Sequence, residues 1–472
     1  MFKKILVANR GEIASRIIRA CKELDIKSVA IYSEEDSTAL YIRKADEAYL
    51  VGPGPIEGFL NPYLIIDIAQ RVGADAIHPG YGFLAENVTF VQECESHNIK
   101  FIGPTSEGMR KLSNKLEAKN LAKKLGIPVL PYTEEPVSSI EEAKKEAEKI
   151  TYPVMLKAAG GGGGRGMRVV HNPQEMERQF PLAKMEAENF FADPRIFIEK
   201  YLEKPHHIEI QVIADSSGNV IHLGERDCSI QRRHQKIIEI APSLILTEKK
   251  REEMAKSAIK LVRKANYENA CTVEFLVDNK LNYYFMEVNT RLQVEHSVTE
   301  EITGFDIVKE QIRIAEGEKL YTKQSAINFT GYAIQSRINA EDPKNGFLPD
   351  SGRITAYYSP GGIGVRIDGA IYKDYEVPEF YDSLLAKLTV RGRTWKEAVA
   401  RMRRALGEYI IRGIKTTLPF LLEIARHPDF INGNFNTSFI DSHPELFEYS
   451  NEPLPEDIVA AISAAIAYHE GL

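Results

Sequence analysis

At 472 residues the chain is long enough for about three domains of ordinary size, and its 43% apolar and 27% charged residues exclude disordered, collagen-like and low-complexity classes. Acidic residues outnumber basic ones, 67 to 60, and the net charge of −7 speaks against nucleic-acid binding by phosphate neutralisation, though not against a local basic pocket. The four cysteines (Cys21, Cys94, Cys228, Cys271) form no CxxC pair and read as reduced thiols of a cytoplasmic protein. No apolar run approaches the ~18 residues of a membrane span, and the N-terminus leads straight into a strand without a signal-peptide core.

Residues 1–110 alternate strand and helix. Lys4 to Ala8 reads as a strand, Asn9-Arg10-Gly11 as a turn, Glu12 to Leu24 as a helix and Val29 to Tyr32 as a second strand. Helices over 61–73 and 84–97 and strands at Ala76–His78 and Lys100–Ile102 complete an α/β unit with a parallel sheet. The first turn lacks GxGxxG, which disfavours a dinucleotide site of the usual kind.

Further on, a helix over Glu141–Ile150 precedes a strand, Val154 to Ala159, then five consecutive glycines, Gly160 to Gly164, then a strand over Gly166–Val170. Glycines let backbone N–H groups approach a phosphate closely. Without a GK[ST] ending or a following helix this is no Walker loop, and it predicts a phosphate-covering lid with Lys157 as a neutralising cation. From 195 to 300 the pattern reads as strands of period two; strands follow at Gly331–Ile338 and Gly364–Asp368, a helix at Trp395–Leu406, and an Ala/Ile helix closes the chain, with no internal repeat.

The segments Cys271–Val277 and Tyr283–Asn289 flank a polar tip. With a four-residue loop at 279–282, Glu274 falls opposite Glu287, where facing Cβ atoms lie ~5 Å apart and like charges repel. A hard cation taking oxygen ligands, Mg²⁺, would resolve that conflict, the alternative being a solvated hairpin whose acids pair with lysines elsewhere. Beyond it Glu287, Asn289, Arg291, Gln293 and Glu295 share one parity, so an extended segment would line one face with an oxyanion pocket and a general base. A third cluster, Glu225 to Lys236, gathers four bases and a histidine and is consistent with either an anion site or a solvated loop.

Ala8–Ala14, His78–Leu84, the glycine loop, Glu225–Lys236 and Glu287–His296 closely resemble the biotin carboxylases, which are ATP-grasp enzymes; the likeness runs from residue 2 to about 447. The resemblance implies a Rossmann-like domain over 1–114, an ATP-grasp domain over 115–330 with a mobile lid at about 131–203, a mixed β/α C-terminal domain over 331–447 and a helical tail over 448–472. By the same resemblance Lys115, Lys157, Gly163, Gly164, His207, Gln231, His234 and Leu276 hold ATP, and Glu199, Lys200 and Leu202 hold its adenine edge. Glu274, Glu287 and Asn289 hold Mg²⁺ or Mn²⁺; Lys236, Arg291, Gln293 and Val294 hold bicarbonate, and Glu295 deprotonates it. Arg337 stabilises the biotin enolate, and Tyr81 and Gly82 line the ureido ring.

The chain departs from the family pattern at Ser297, where proline is common, at Ser113-Asn114, where Gly-Asp is usual, and at Ile363, where an aromatic residue often meets the dimer partner. It contains no Met-Lys-Met triplet to carry biotin. The expectation is therefore a cytoplasmic, homodimeric, free-standing subunit whose biotin arrives on a carrier protein or a biotinylated carboxyltransferase subunit. The tail resembles those of two-subunit 2-oxo-acid carboxylases, and the acceptor stays open among acetyl-CoA, propionyl-CoA, pyruvate and 2-oxoglutarate. Carbamoyl-phosphate synthesis also passes through carboxyphosphate, but those synthetases carry two ATP-grasp halves. A non-catalytic nucleotide-binding subunit would have lost Glu295 or Arg337, and both are present.

Overall fold

The computed structural model describes residues 1–52, 54–159, 167–191, 193–449, 462, 463, 465, 466 and 468–470. The five-glycine run and most of the expected tail helix lie outside the described residues.

In the N-terminal region five parallel strands pair in the order Glu47–Leu50, Lys27–Tyr32, Lys4–Val7, Ala76–His78 and Lys100–Phe101. The strand Lys4–Val7 is apolar at three successive positions because the sheet is covered on both faces. Helix Gly11–Glu23 buries Ile13, Ile17, Ile18 and Cys21, together with Glu12 and Arg16, since it also packs against the strand Val365–Gly369. The helix expected over 84–97 starts later, at Val88, where the Asn87 side chain accepts a hydrogen bond from Phe90 N at 2.9 Å. Such a cap contributes about 1 kcal/mol.

Eight antiparallel strands form the central sheet. Their order is Tyr283–Asn289, Asn269–Val277, His206–Ala214, Val220–Arg232, Gln235–Ala241, Tyr332–Asn339, Leu384–Gly392 and Val365–Gly369. The sheet runs unbroken across residue 330, with Ile238 paired to Ser336 and Ala241 to Ala333. Strands in its middle are buried on both faces, so His206–Ala214 shows no inside–outside alternation. That corrects the period-two reading of 195–300, which also overlooked a helix, Glu248–Lys264. The helix packs Met254, Ala258, Leu261 and Val262 inward at helical spacing, against the same sheet.

A separate three-stranded sheet, ordered Met167–Val170, Val154–Ala158, Ile196–Lys200, has its own apolar core with helices Ile140–Ile150 and Pro173–Phe191. Val154 pairs with Val170 and Lys157 with Met167, so the two strands flanking the glycine run are antiparallel neighbours. Among the described residues no helix is long and apolar enough to cross a membrane, and all four cysteines are unpaired and buried.

Candidate active site

The parallel strands Lys4–Val7 and Ala76–His78 end beside each other, and ligands of α/β sheets gather at such carboxyl ends. Asn9 Nδ2 donates to Pro79 O and to Tyr81 O, both at 2.7 Å, and so holds the two following loops together. Gly80 sits at φ +63°, where an added Cβ would lie 3.0 Å from Asn9 Nδ2 and from Ile13, so only glycine fits the junction. These loops form one wall of a cleft of about 1180 Å³, whose other walls are the central sheet and the three-stranded sheet.

On the floor of the cleft Glu274 and Glu287 face each other across the hairpin, as the sequence predicts. The register differs at the tip: Val277 pairs with Tyr283, and the Asp278–Asn282 turn holds five residues. A bulge at Met286 then restores the opposition of the two carboxylates. Asp278 Oδ1 selects that turn by accepting from Lys280 N at 2.9 Å and Asn282 N at 2.8 Å. The strand also ends at Asn289 instead of continuing to 295. Glu86 takes Thr290 N at 3.0 Å and Arg291 Nε at 2.9 Å, which bends the chain, and Glu295 arrives at the N-cap position of helix His296–Thr303. Asn289, Arg291, Gln293, Val294 and Glu295 nevertheless all line the cleft.

Glu274 is buried and accepts from His207 Nε2 (2.6 Å), Asn289 Nδ2 (2.7 Å), Lys236 Nζ (3.0 Å) and Gln293 Nε2 (3.1 Å). Lys236 in turn contacts Glu209 and Glu295, each at 2.7 Å. Arg337 reaches Glu295 at 2.9 Å, and its Nε donates to Glu239 at 2.6 Å. Burial alone would raise the Glu295 pKa, but Lys236, Arg337 and Arg226 outweigh it and hold the carboxyl below the ordinary range, so it is ionised. Burial likewise opposes the charge on Lys236, and Glu209, Glu274 and Glu295 reverse that effect and keep it protonated.

At the other end Lys115 contacts Glu287 at 2.7 Å. Lys157 and Lys119 both contact the buried Glu199. Lys115 is the first residue of helix Lys115–Lys124, where the helix dipole disfavours a cation, so its position serves something other than helix stability. Gln231 and Lys236 are cross-strand partners, and His234 stands in the tight turn between them at φ +67°. Lys200 places its ammonium on Thr151 O at 3.0 Å and Tyr152 O at 3.1 Å, and the residue borders the cleft beside Glu199 and Leu202.

Tyr81, Gly82, His207, Leu276 and the remaining described candidates border the same cleft; Gly163 and Gly164 lie outside the described residues. One member of the Glu225–Lys236 cluster is not available to an anion. Arg226 is fully buried, and its guanidinium is occupied by Glu209, Gln211, Thr272 and Thr299. Sequence reasoning missed Glu209, Glu239, Glu86 and Lys119, which meet the site only through strand pairing or tertiary packing and carry no local signature.

Two carboxylates held opposite one another, with an amide beside them, form a hard oxygen donor set suited to Mg²⁺ or Mn²⁺. Each already leans on cationic side chains, Glu274 on Lys236 and His207, Glu287 on Lys115, as expected of oxygens arranged for a cation.

Three family models cover most of the chain: the biotin carboxylase N-terminal domain over residues 1–109, the carbamoyl-phosphate synthase L chain ATP-binding domain over 114–323, and the biotin carboxylase C-terminal domain over 335–442. The 2-oxoglutarate carboxylase small subunit of Hydrogenobacter thermophilus is 52% identical over 472 residues, all of both chains.

The chain belongs to the biotin carboxylase family.

Among other biotin carboxylase relatives, a pyruvate carboxylase subunit of Methanothermobacter thermautotrophicus is 52% identical over 99% of this chain and 98% of its own length. The biotin carboxylase domain dimer of the Hydrogenobacter 2-oxoglutarate carboxylase, crystallised with MgADP, ADP and bicarbonate, matches with a TM-score of 0.94 and 52% identity over 96% of this chain and 100% of that one. A biotin carboxylase from Campylobacter jejuni in complex with β,γ-ATP matches at 0.92 and 49% identity, over 94% of this chain and 99% of that one.

Proposed function

We propose that this protein carboxylates biotin presented by a separate carrier, using ATP and bicarbonate, as the first half-reaction of a biotin-dependent carboxylase. The observation that carries the reading is Glu295, ionised and held by both Lys236 and Arg337, in the same cleft as the opposed Glu274 and Glu287. Lys115, Lys157, His207, Gln231, His234 and Leu276 bind ATP, Gly163 and Gly164 cover its phosphates, and the Glu199–Leu202 strand end meets the adenine. Glu274, Glu287 and Asn289 would hold the divalent cation, which supplies charge neutralisation on the phosphates.

Lys236, Arg291, Gln293 and Val294 bind bicarbonate. An anion entering there competes with Glu295 for Lys236 and Arg337, and the carboxylate, losing that attraction, becomes a stronger base. It takes the bicarbonate proton, and the freed oxygen attacks the γ-phosphorus, releasing ADP and forming carboxyphosphate. Carboxyphosphate divides into CO₂ and phosphate. The phosphate removes the N1 proton of biotin lying against Tyr81 and Gly82, and N1 attacks CO₂. The enolate charge on the ureido oxygen faces Arg337, and preorganised donors of this kind supply a large share of rate enhancement.

The same reading includes the division into 1–114, 115–330 and 331–447, a cytoplasmic location, a homodimer like that of the Hydrogenobacter domain, and a biotinylated partner protein. Incubation with ATP, Mg²⁺, bicarbonate and free biotin should release ADP faster than without biotin. ADP release that ignores biotin but rises with ammonia would replace the reading with carbamoyl-phosphate chemistry.

A further inference from the structure

Asn9 and Glu12, at the start of helix Gly11–Glu23, have no role in the scheme above beyond loop contacts, and a fully buried lysine, Lys387, has none at all. Lys387 is the direct cross-strand neighbour of Arg337, so the two cationic side chains leave the sheet on the same side. Like charges in that relation are destabilising unless each is separately compensated. Arg337 is compensated by Glu239 and Glu295. Lys387 reaches elsewhere: its Nζ lies 3.1 Å from Glu12 Oε1, in the N-terminal region, and donates to Val294 O at 3.0 Å. Glu12 is itself buried and accepts from the Tyr81 hydroxyl on the same oxygen.

These contacts make one continuous path. It begins at Tyr81, passes through Glu12 and Lys387, and ends at the peptide group joining Val294 to Glu295. Its two ends lie on different regions of the chain, both facing the cleft. We propose that Lys387 and Glu12 are positioning residues that fix the Tyr81 wall and the Val294–Glu295 turn relative to each other, so that the biotin ring and the bicarbonate site keep one spacing. The proposal rests on the functional reading given above. Misplacing reacting groups by ~1 Å costs on the order of 100-fold in rate, so the pair needs to touch neither substrate to matter.

The test compares wild type with the double variant Lys387→Met/Glu12→Gln, which leaves no unpaired buried charge, and with Tyr81→Phe, which removes only the hydroxyl contact. Melting temperature, ATP KM, kcat/KM for biotin and bicarbonate-dependent ADP release are measured for each. The double variant is expected to melt within a few degrees of wild type and keep its ATP KM within about twofold, while kcat/KM for biotin falls about tenfold or more. Tyr81→Phe should shift kcat/KM for biotin in the same direction by less. If kcat/KM for biotin stays at the wild-type value in a folded double variant, or if ATP KM worsens by the same factor, the pair is merely structural and the inference falls. Wild-type protein without biotin-stimulated ADP release would overturn the functional reading, and the inference with it.

Discussion

The two ends of the cleft both set cationic side chains against glutamates but are assembled differently. At the bicarbonate end Lys236, Glu239, Glu209 and Arg337 stand on strands of one continuous sheet, and Glu295 follows directly from its edge hairpin. At the nucleotide end Lys115 and Lys119 come from a helix, while Lys157 and Glu199 come from a second sheet with a core of its own. Spacing among the four strand residues at the first end is set by hydrogen-bonded register and cannot change without disrupting the sheet. At the second it depends on how two separately packed units meet. Chemistry that develops charge in the transition state needs the first kind of construction; a polyanion that must enter and leave is served by the second.

Three substitutions sharpen this contrast, the most damaging first. Glu295→Gln should depress both bicarbonate-dependent ATP cleavage and biotin carboxylation by about 10²–10⁴-fold, the range of a lost general base. ADP release by that variant at the wild-type rate would remove Glu295 as the base. Arg337→Ala should lower biotin carboxylation by about 10²–10³-fold and spare bicarbonate-dependent ATP cleavage by comparison. Equal losses in the two assays would contradict its role toward biotin. Lys157→Met removes one charge-assisted contact, worth about 1.5–3 kcal/mol, and leaves Lys119 on Glu199. ATP KM should rise by one to two orders of magnitude with kcat little changed, and a collapse of kcat would place this end among the rigidly coupled parts.

What the sequence reveals follows the same division between local and distant order. The Glu274–Glu287 opposition is legible because the two strands are joined by a short tip, and strand period carries the register from there. Even so, a four-residue loop and the five-residue turn with a bulge at Met286 that the chain actually uses bring the same two carboxylates opposite each other. The end of the strand at Asn289 is decided by Glu86, some two hundred positions away, which no window of local pattern contains. Glu239 and Glu209 read as ordinary strand positions until the sheet order is known. The helix Glu248–Lys264 is a different failure, since its 3.6-residue spacing is present in the sequence and is hidden by the β-rich segments on either side.

The seam between Gln235–Ala241 and Tyr332–Asn339 has a consequence for how the molecule comes into being. The paired strands are separated by about ninety residues of chain, a long loop to close before the pairing is rewarded. During synthesis the hairpin with Glu274 and Glu287 exists well before Arg337 and Lys387 leave the ribosome. Until they do, Gln235–Ala241 is a bare sheet edge, open to pairing with another chain. The nascent protein thus acquires every residue assigned to nucleotide before Arg337, and closure of this seam covers the exposed edge of Gln235–Ala241.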